Sequence, residues 1–389
     1  MDEMSRIDPG TPTWLRARND RTAFRLLLEH GPLTRTKLGE LSGMSKPTAA
    51  QMITRLERVG LIRPVGEVSA GRGPNAVSYG VRTDRITGVA VSILHRVIQA
   101  VVVDAVDRDH SVVQIATDAA AARTPEGDVR AAVRAACEAA GLDEATVSRV
   151  VVGVQAAFFV ESDELSFTDT LPGWPAVGAR RRIEESLGLA VTLDNDVNLA
   201  AMAERAVGAA QDAASFALFW IGDGLGVGVD LGGTLHRGAS GGAGEIGYLA
   251  VPKAAAGLAP EANDFTDLLG GPAVVRLLGG APEETLVDAL PRLVHDESAL
   301  AALADRVILA VAPLLAILDP SMVVLGGPTG IAGGARLAQL VAARVDATAH
   351  PKLVVRTSGT GAQPVLLGAR QQLVEQIRDQ LEADISLAP

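Results

Sequence analysis

Ser45-Lys46-Pro47-Thr48-Ala49-Ala50-Gln51-Met52-Ile53-Thr54-Arg55-Leu56-Glu57-Arg58-Val59-Gly60 separates into two faces when wound at 3.6 residues per turn. Ala49, Met52, Ile53, Leu56 and Val59 fall on one side, and Lys46, Pro47, Ala50, Gln51, Thr54, Arg55 and Arg58 on the other. Ser45 supplies an N-cap hydroxyl, Pro47 suits the first turn, and Gly60 stands where a C-terminal cap belongs. The polar face has short residues near the helix start for close approach, a Gln able to hydrogen-bond a base edge, and Arg for bases or phosphates.

Working upstream, apolar residues at Ala23, Phe24, Leu27 and Leu28 recur at helical spacing from Asn19, behind an Asn/Asp cap, until Gly31-Pro32. Leu38 and Leu41 mark a short second helix that Gly43 breaks. Three short helices with a glycine turn between the last two form a helix-turn-helix. Downstream, Leu61-Ile62 opens a β-prone stretch that Val77-Ser78-Tyr79 can pair with, leaving Gly71-Arg72-Gly73-Pro74-Asn75 near the tip of a wing. Arg72, flanked by glycines, suits a narrow minor groove. The predicted DNA contacts are therefore Ser45, Lys46, Pro47, Ala50, Gln51, Thr54, Arg55 and Arg72, with Gln51 as the base reader. An ordinary solvated helix face and a plain basic turn remain the alternatives.

Charge is distributed accordingly. The chain of 389 residues carries a formal charge of -11, yet residues 1–80 hold 12 Lys and Arg against 8 Asp and Glu, a net +4, which leaves -15 downstream. A small basic head precedes a large acidic body, the pattern of a local DNA-binding module attached to something that is not one. At roughly 150 residues per domain, the length allows two or three domains. Hydrophobic residues are 48% and charged residues 21% of the chain, which excludes a solvated polyelectrolyte. The apolar runs are interrupted before the ~18 residues of a membrane span. Acids at Asp2 and Glu3 stand where a secretory signal needs basic residues, and Cys137 is the single cysteine, so a cytoplasmic chain without a disulfide or Cys-rich zinc site is expected. Cys137 reads as a small hydrophobe in an Ala-rich helix.

Beyond residue 80, β-type runs alternate with Ala-rich helical stretches: Gly88 to Val103, 126–140, Val150 to Val154, 176–187 and Ala190 to Leu193. Such alternation predicts an α/β body with sheets covered by helices. A second half repeats the style, with a glycine-punctuated hairpin from Ser215 to Val229, a helix over 299–318, and a buried strand from Met322 into Gly326-Gly327.

Leu171-Pro172-Gly173-Trp174, the segment from Leu193 through Asp194-Asn195-Asp196-Val197-Asn198 to Ala201, the segment Gly238 to Tyr248, and Leu318-Asp319-Pro320 running to Gly327 occur in the order found in ROK (repressor, open reading frame, kinase) proteins, which the chain resembles from about residue 19 to its end. The resemblance implies a winged helix-turn-helix domain over 1–80 and a two-lobed α/β body of the actin-like ATPase (ribonuclease H-like) type. Lobe 1 would span 81–199, completed by a C-terminal helix over 368–389, and lobe 2 would span 200–367. It also implies a ligand cleft between the lobes and a homodimer or homotetramer.

Measured against the family's kinases, the phosphate machinery is altered. Gly88 to His95 places Ala90 at the phosphate-strand acid and Ser92-Ile93-Leu94 over its Gly-Gly-Thr, and branched Ile93 blocks close backbone approach. The second phosphate loop, Ile221 to Gly228, keeps its glycines but puts Asp223 at a position usually holding a small hydroxyl residue; a carboxylate there repels phosphate. Asp196 stands at the family's catalytic base with Asn195 beside it, although an Asp at a helix start is also an ordinary cap. Glu245 and Tyr248 stand at the Glu and His of the sugar-binding motif, Thr170 at the Asn before Leu-Pro-Gly-Trp, and Thr266 at a sugar-binding Glu. The family's zinc-binding Cys cluster is absent from Pro252 to Asn263. Glu245 could equally be solvent exposed.

The reading is a cytoplasmic transcription regulator, a repressor of carbohydrate genes by resemblance, that binds palindromic double-stranded DNA. A sugar-type effector would contact Thr170, Asn195, Asp196, Glu245 and Tyr248, with no catalytic residue, cofactor, metal or membrane partner. A ligand-independent regulator that uses its body only to oligomerise, and an active sugar kinase, are the competing readings.

Overall fold

The computed structural model describes residues 11–68, 75–94, 96–117, 123–166, 171–345 and 349–386; Arg72 and Thr170 lie outside them. Helix α1 (Pro12–His30) starts well before Asn19, because Thr11 accepts a hydrogen bond from Trp14 N and Pro12 fits the first turn. Asp20 is consequently inside the helix and caps nothing. After β1 (Leu33–Thr34), α2 (Arg35–Ser42) is capped by the Thr34 side chain and closed by Gly43 in a left-handed turn. Leu38 is buried, whereas Leu41, expected on the same inner face, is exposed. The third helix, α3 (Lys46–Arg58), is capped by Ser45 and buries Ala49, Met52, Ile53 and Leu56.

Strands β2 (Ile62–Val68) and β3 (Ala76–Val81) pair antiparallel as the expected wing, with a register shift between Pro64 and Gly66, and β1 closes the far side of β3. Phe24, Leu27, Leu38, Met52, Ile53, Leu56 and Leu61 form the head's core. Each such burial contributes about 1.5–3 kcal/mol, which is what fixes α3 with its polar face outward.

The first body sheet is built from β4 (Thr87–Ile93), β5 (Val97–Val103), β6 (Val113–Ala116), β7 (Val147–Val154) and β10 (Ala190–Asn195), in the order β10-β7-β4-β5-β6. β4, β5 and β6 run antiparallel, and β7 and β10 join parallel to β4. Helices α4 (Pro125–Ala140) and α5 (Ala179–Leu187) are the connections, with a short hairpin of β8 (Ala157–Phe159) and β9 (Glu164–Ser166) between them. Every residue of β4 is buried, as a central strand covered on both faces requires. Cys137 of α4 is buried with its thiol pushed up to about 11, the behaviour of an apolar core residue.

Helix α6 (Asp196–Ala206) leads to the second sheet, made of β11 (Phe216–Ile221), β12 (Leu225–Leu231), β13 (Thr234–Leu235), β14 (Met322–Gly326) and β15 (Val354–Thr357), in the order β13-β12-β11-β14-β15. Three strands are again antiparallel and two parallel, so both lobes share one topology. Helices α7 (Phe265–Leu269), α8 (Gly271–Leu277), α9 (Leu286–Leu293), α10 (Glu297–Leu318) and α11 (Gly327–Ala342) complete the second lobe. By length and composition α10 would pass for a membrane span despite Asp305 and Arg306, which the sequence had been expected to exclude. Its Leu300, Leu303, Val307, Val311, Leu314 and Leu315 lie in the second lobe's core.

The final helix, α12 (Pro364–Ser386), begins before the expected residue 368 and packs on α6 and on β4, β5 and β7 of the first sheet. The expected lobe boundary between residues 199 and 200 falls inside α6. That helix is buried from Asp196 through Ala201 and again at Ala203 and Glu204, because it touches α12 on one side and β11 and β12 on the other.

Candidate functional site

On the head, the outward face of α3 exposes Lys46, Pro47, Gln51, Thr54 and Arg58, with Ala50 half-buried. Ser45 Oγ accepts from Thr48 N at 3.3 Å, so this hydroxyl holds the helix start. Thr54 Oγ1 donates to Ala50 O at 3.0 Å, leaving its lone pairs outward. Arg55 departs from the expectation of an outward cation: its guanidinium is bound by Asp20 of α1. The reason is geometric, since its position on α3 borders the buried face where α1 packs. Arg35, missed in the sequence, is exposed at the start of α2, donates to Tyr79 Oη at 2.8 Å and lies 5.5 Å from that ring's centre. Its only sequence signal was a basic residue at the first turn of the helix preceding α3.

In the body, β10 ends and α6 begins at the Leu193 to Ala201 motif. Asn195 is the cap of α6: its Oδ1 accepts from Val197 N at 2.8 Å and Asn198 N at 3.2 Å, while its Nδ2 donates to Ala156 O at 3.1 Å. Its amide is thus engaged in holding the chain. Asp196 is only 8% exposed, and its Oδ1 accepts from Val197 N at 2.9 Å. Burial pushes its carboxyl up to about 7, and the charge of Glu245 pushes the same way against the backbone hydrogen bond. Glu245, half-buried, is itself raised by burial. Two acids 49 positions apart in sequence are thereby brought into electrostatic contact.

Glu245 reaches that place through a glycine turn. Gly244 has φ of +95°, and a Cβ there would stand 1.9 Å from Val227 O, so only glycine allows the turn to lie on β12. A Cβ on Gly241 would stand 2.3 Å from Phe158 O of β8 in the first lobe. The turn therefore spans both lobes. Arg237 beside it donates to Asp194 Oδ2 at 2.6 Å and 3.1 Å, joining the second lobe to the end of β10. Arg237 had no sequence signal, and Asp194 was visible only as part of its motif. Tyr248 follows Glu245 on a 3-10 turn and is 56% exposed.

The positions compared with the phosphate strand are buried, whereas Asp223 and Gly224 of the second loop are exposed. Ala90 is fully buried in one apolar cluster with Val151, Leu199 and Val365, and Ser92 and Ile93 are each 1% exposed. In the glycine hairpin, Asp223 O accepts from Gly271 N at 3.1 Å, and a Cβ on Gly271 would stand 2.5 Å from Asp223 Oδ1. The carboxylate is packed against the start of α8. Among the described residues, no group of three or more His, Cys, Asp or Glu could hold a metal ion.

A profile of the ROK family matches residues 96–376, and one of the MarR family matches residues 22–64. The xylose repressor of Bacillus subtilis (strain 168) is 21% identical over 248 residues, covering 63% of this chain and 63% of that protein. The chain thus spans less than two thirds of that relative's length. A crystal structure of a ROK family transcriptional regulator, homolog of E. coli MLC protein, superposes with a TM-score of 0.66 at 19% identity, over 96% of this chain and 98% of that one. The ROK hexokinase from Thermus thermophilus superposes with a TM-score of 0.59 at 25% identity, over 76% of this chain and 100% of that one. With a winged-helix head, two lobes of one topology, and the family profile running through nearly the whole body, the chain belongs to the ROK family.

Proposed function

We propose that the protein is a DNA-binding transcription regulator of the repressor type, acting in the cytoplasm as a homodimer or homotetramer on a palindromic duplex, and released or tightened by a sugar-type ligand in the interlobe cleft. The observation that carries this reading is the exposed Lys46, Pro47, Gln51, Thr54 and Arg58 face of α3, held outward by the burial of Ala49, Met52, Ile53 and Leu56 on the opposite face. A Gln and an Arg presented on a helix of this width can read base edges in the major groove. Arg35, steadied by Tyr79, adds a phosphate contact beside it.

The proposed cleft offers Asp196 and Glu245, two acids with Tyr248 where the family motif carries an imidazole, and both can accept hydrogen bonds from ligand hydroxyls. A ligand there changes DNA affinity only if it binds the two arrangements of the protein unequally. Phosphoryl transfer is not part of this reading, which is supported by Ala90 and Ile93 buried where the family's kinases carry an acid and glycines, and by a carboxylate at Asp223 that would repel a triphosphate.

The test is selection of duplexes from a random pool by the full chain, followed by titration of the enriched duplex with D-xylose and D-glucose. An enriched inverted repeat supports the reading, and no enrichment overturns it. Formation of a sugar phosphate from ATP and either sugar would instead establish a kinase.

A further inference from the structure

The head meets the body at the far end of α12. Arg25 of α1 makes two hydrogen bonds, 2.6 Å and 2.7 Å, to the Glu382 carboxylate, and Arg21 Nε donates to Glu382 O at 3.4 Å. Arg85 bridges the same end to the recognition helix: one nitrogen donates to Val59 O, the C-cap of α3, and another to Asp384 Oδ2 at 2.7 Å. Beside the Arg25–Glu382 pair lies a crevice of about 320 Å³ lined by Arg25, Leu28, Glu29, Arg378 and Glu382, while Leu381 and Ile385 of α12 belong to one apolar cluster with Phe24, Leu27 and Ile62 of the head, so ion pairs orient a joint that apolar packing also holds.

The near end of α12 lies on α6. A Cβ on Gly368 would stand 1.8 Å from Leu199 O, so the two helix backbones touch. Leu199 is one turn from Asp196, and its Cδ1 also fills the space beside Gly153 of β7. A shift of α6 cannot be absorbed between rigid backbones without moving α12.

We propose that α12 is a rod that carries a displacement of α6 at the cleft to the recognition helix, with Arg25–Glu382 and Val59–Arg85–Asp384 as its latch on the head. This rests on the reading of the cleft as a ligand site and of α3 as the DNA reader. The ion pairs give α12 a grip on both α1 and the C-terminal end of α3, and a grip at two points transmits rotation as well as translation. The mechanical link itself needs neither sugar nor DNA to be present.

Hydrogen exchange of the full chain, without DNA or sugar, tests the link. Four proteins are compared: wild type, Leu199→Val, the latch variant Glu382→Gln/Asp384→Asn, and the combination. Leu199→Val should change exchange in Pro12–His30 and Lys46–Arg58 by about threefold or more with the latch intact, and by a far smaller factor without it. Leu199→Ala, with folding checked by circular dichroism, provides a stronger displacement should the valine be accommodated. Unchanged head exchange in both folded Leu199 variants overturns the proposal, as does an equal response with and without the latch. Selected-DNA binding is scored separately, so loss of the DNA reading and loss of the rod are distinct results.

Discussion

Arg55 grips Asp20 through two hydrogen bonds of 2.7 Å, Nε to one carboxylate oxygen and Nη2 to the other, and so joins the recognition helix to α1. A bidentate pair fixes orientation as well as distance. Arg55 therefore positions the reading face without belonging to it. Arg55→Ala should destabilise the head by about 2–4 kcal/mol, because it leaves Asp20, 6% exposed, without its cation. The double variant Asp20→Ala/Arg55→Ala should recover part of that loss. Denaturant titration checks both, and equal stabilities for the single variant and wild type would show the pair to be inert.

Gln51 is exposed on the second turn of α3 with no structural duty among the contacts around it. Gln51→Ala should cost about 1–3 kcal/mol at one base pair of the selected duplex and little on unrelated DNA. Fluorescence anisotropy on single-base variants measures this. A uniform loss on all sequences would reassign Gln51 to backbone contact.

Asp196 gives a pH signature. Its carboxyl holds a proton up to about 7 in the folded protein, against 3.8 ordinarily. The unfolded chain therefore loses its proton first as pH rises, and stability present below about 3.8 is lost progressively until about 7. Asp196→Asn removes that dependence, so the variant should be more stable than wild type at pH 8, on the order of 2–4 kcal/mol, with the advantage shrinking toward pH 4. Thermal melts at the two pH values decide it; a pH-independent difference would place the Asp196 titration outside this window.

Arg237→Ala should leave Asp194, 5% exposed, with only neutral partners in Asn198 Nδ2 and Asn195 N. The expected cost is about 2–4 kcal/mol of stability, together with a looser contact between the lobes. If D-xylose or D-glucose raises the wild-type melting temperature, that rise should be smaller in Arg237→Ala. An undiminished rise would separate the Asp194–Arg237 tie from the ligand site.

The sequence by itself determined the head's helices and wing and the β/α alternation of the body, but not the short helices α7, α8 and α9 or the strands β13 and β15. The two faces of α3, the hairpin from Phe216 to Leu231, the buried strand ending at Gly326 and the alternation of the first lobe are local patterns, and local backbone and burial preferences are enough to fix them. Caps were less legible: Asn19 and Asp20 looked like a helix start, but Thr11 with Pro12 made a better one upstream and left Asp20 free to meet Arg55. A boundary at residue 199 falls within α6 for a similar reason, since α6 touches elements of both lobes and no composition change marks a helix shared between two cores. Tertiary structure alone decided that Asn195 caps and Asp196 faces Glu245, that Arg237 of the second lobe ties to Asp194 of the first, and that Arg85 joins Val59 to Asp384. Each of these pairs residues between 26 and 299 positions apart or chooses between roles that one side chain could equally fill. Such choices follow from which surfaces the packed sheets bring together, a property of the whole fold that no local window of sequence contains.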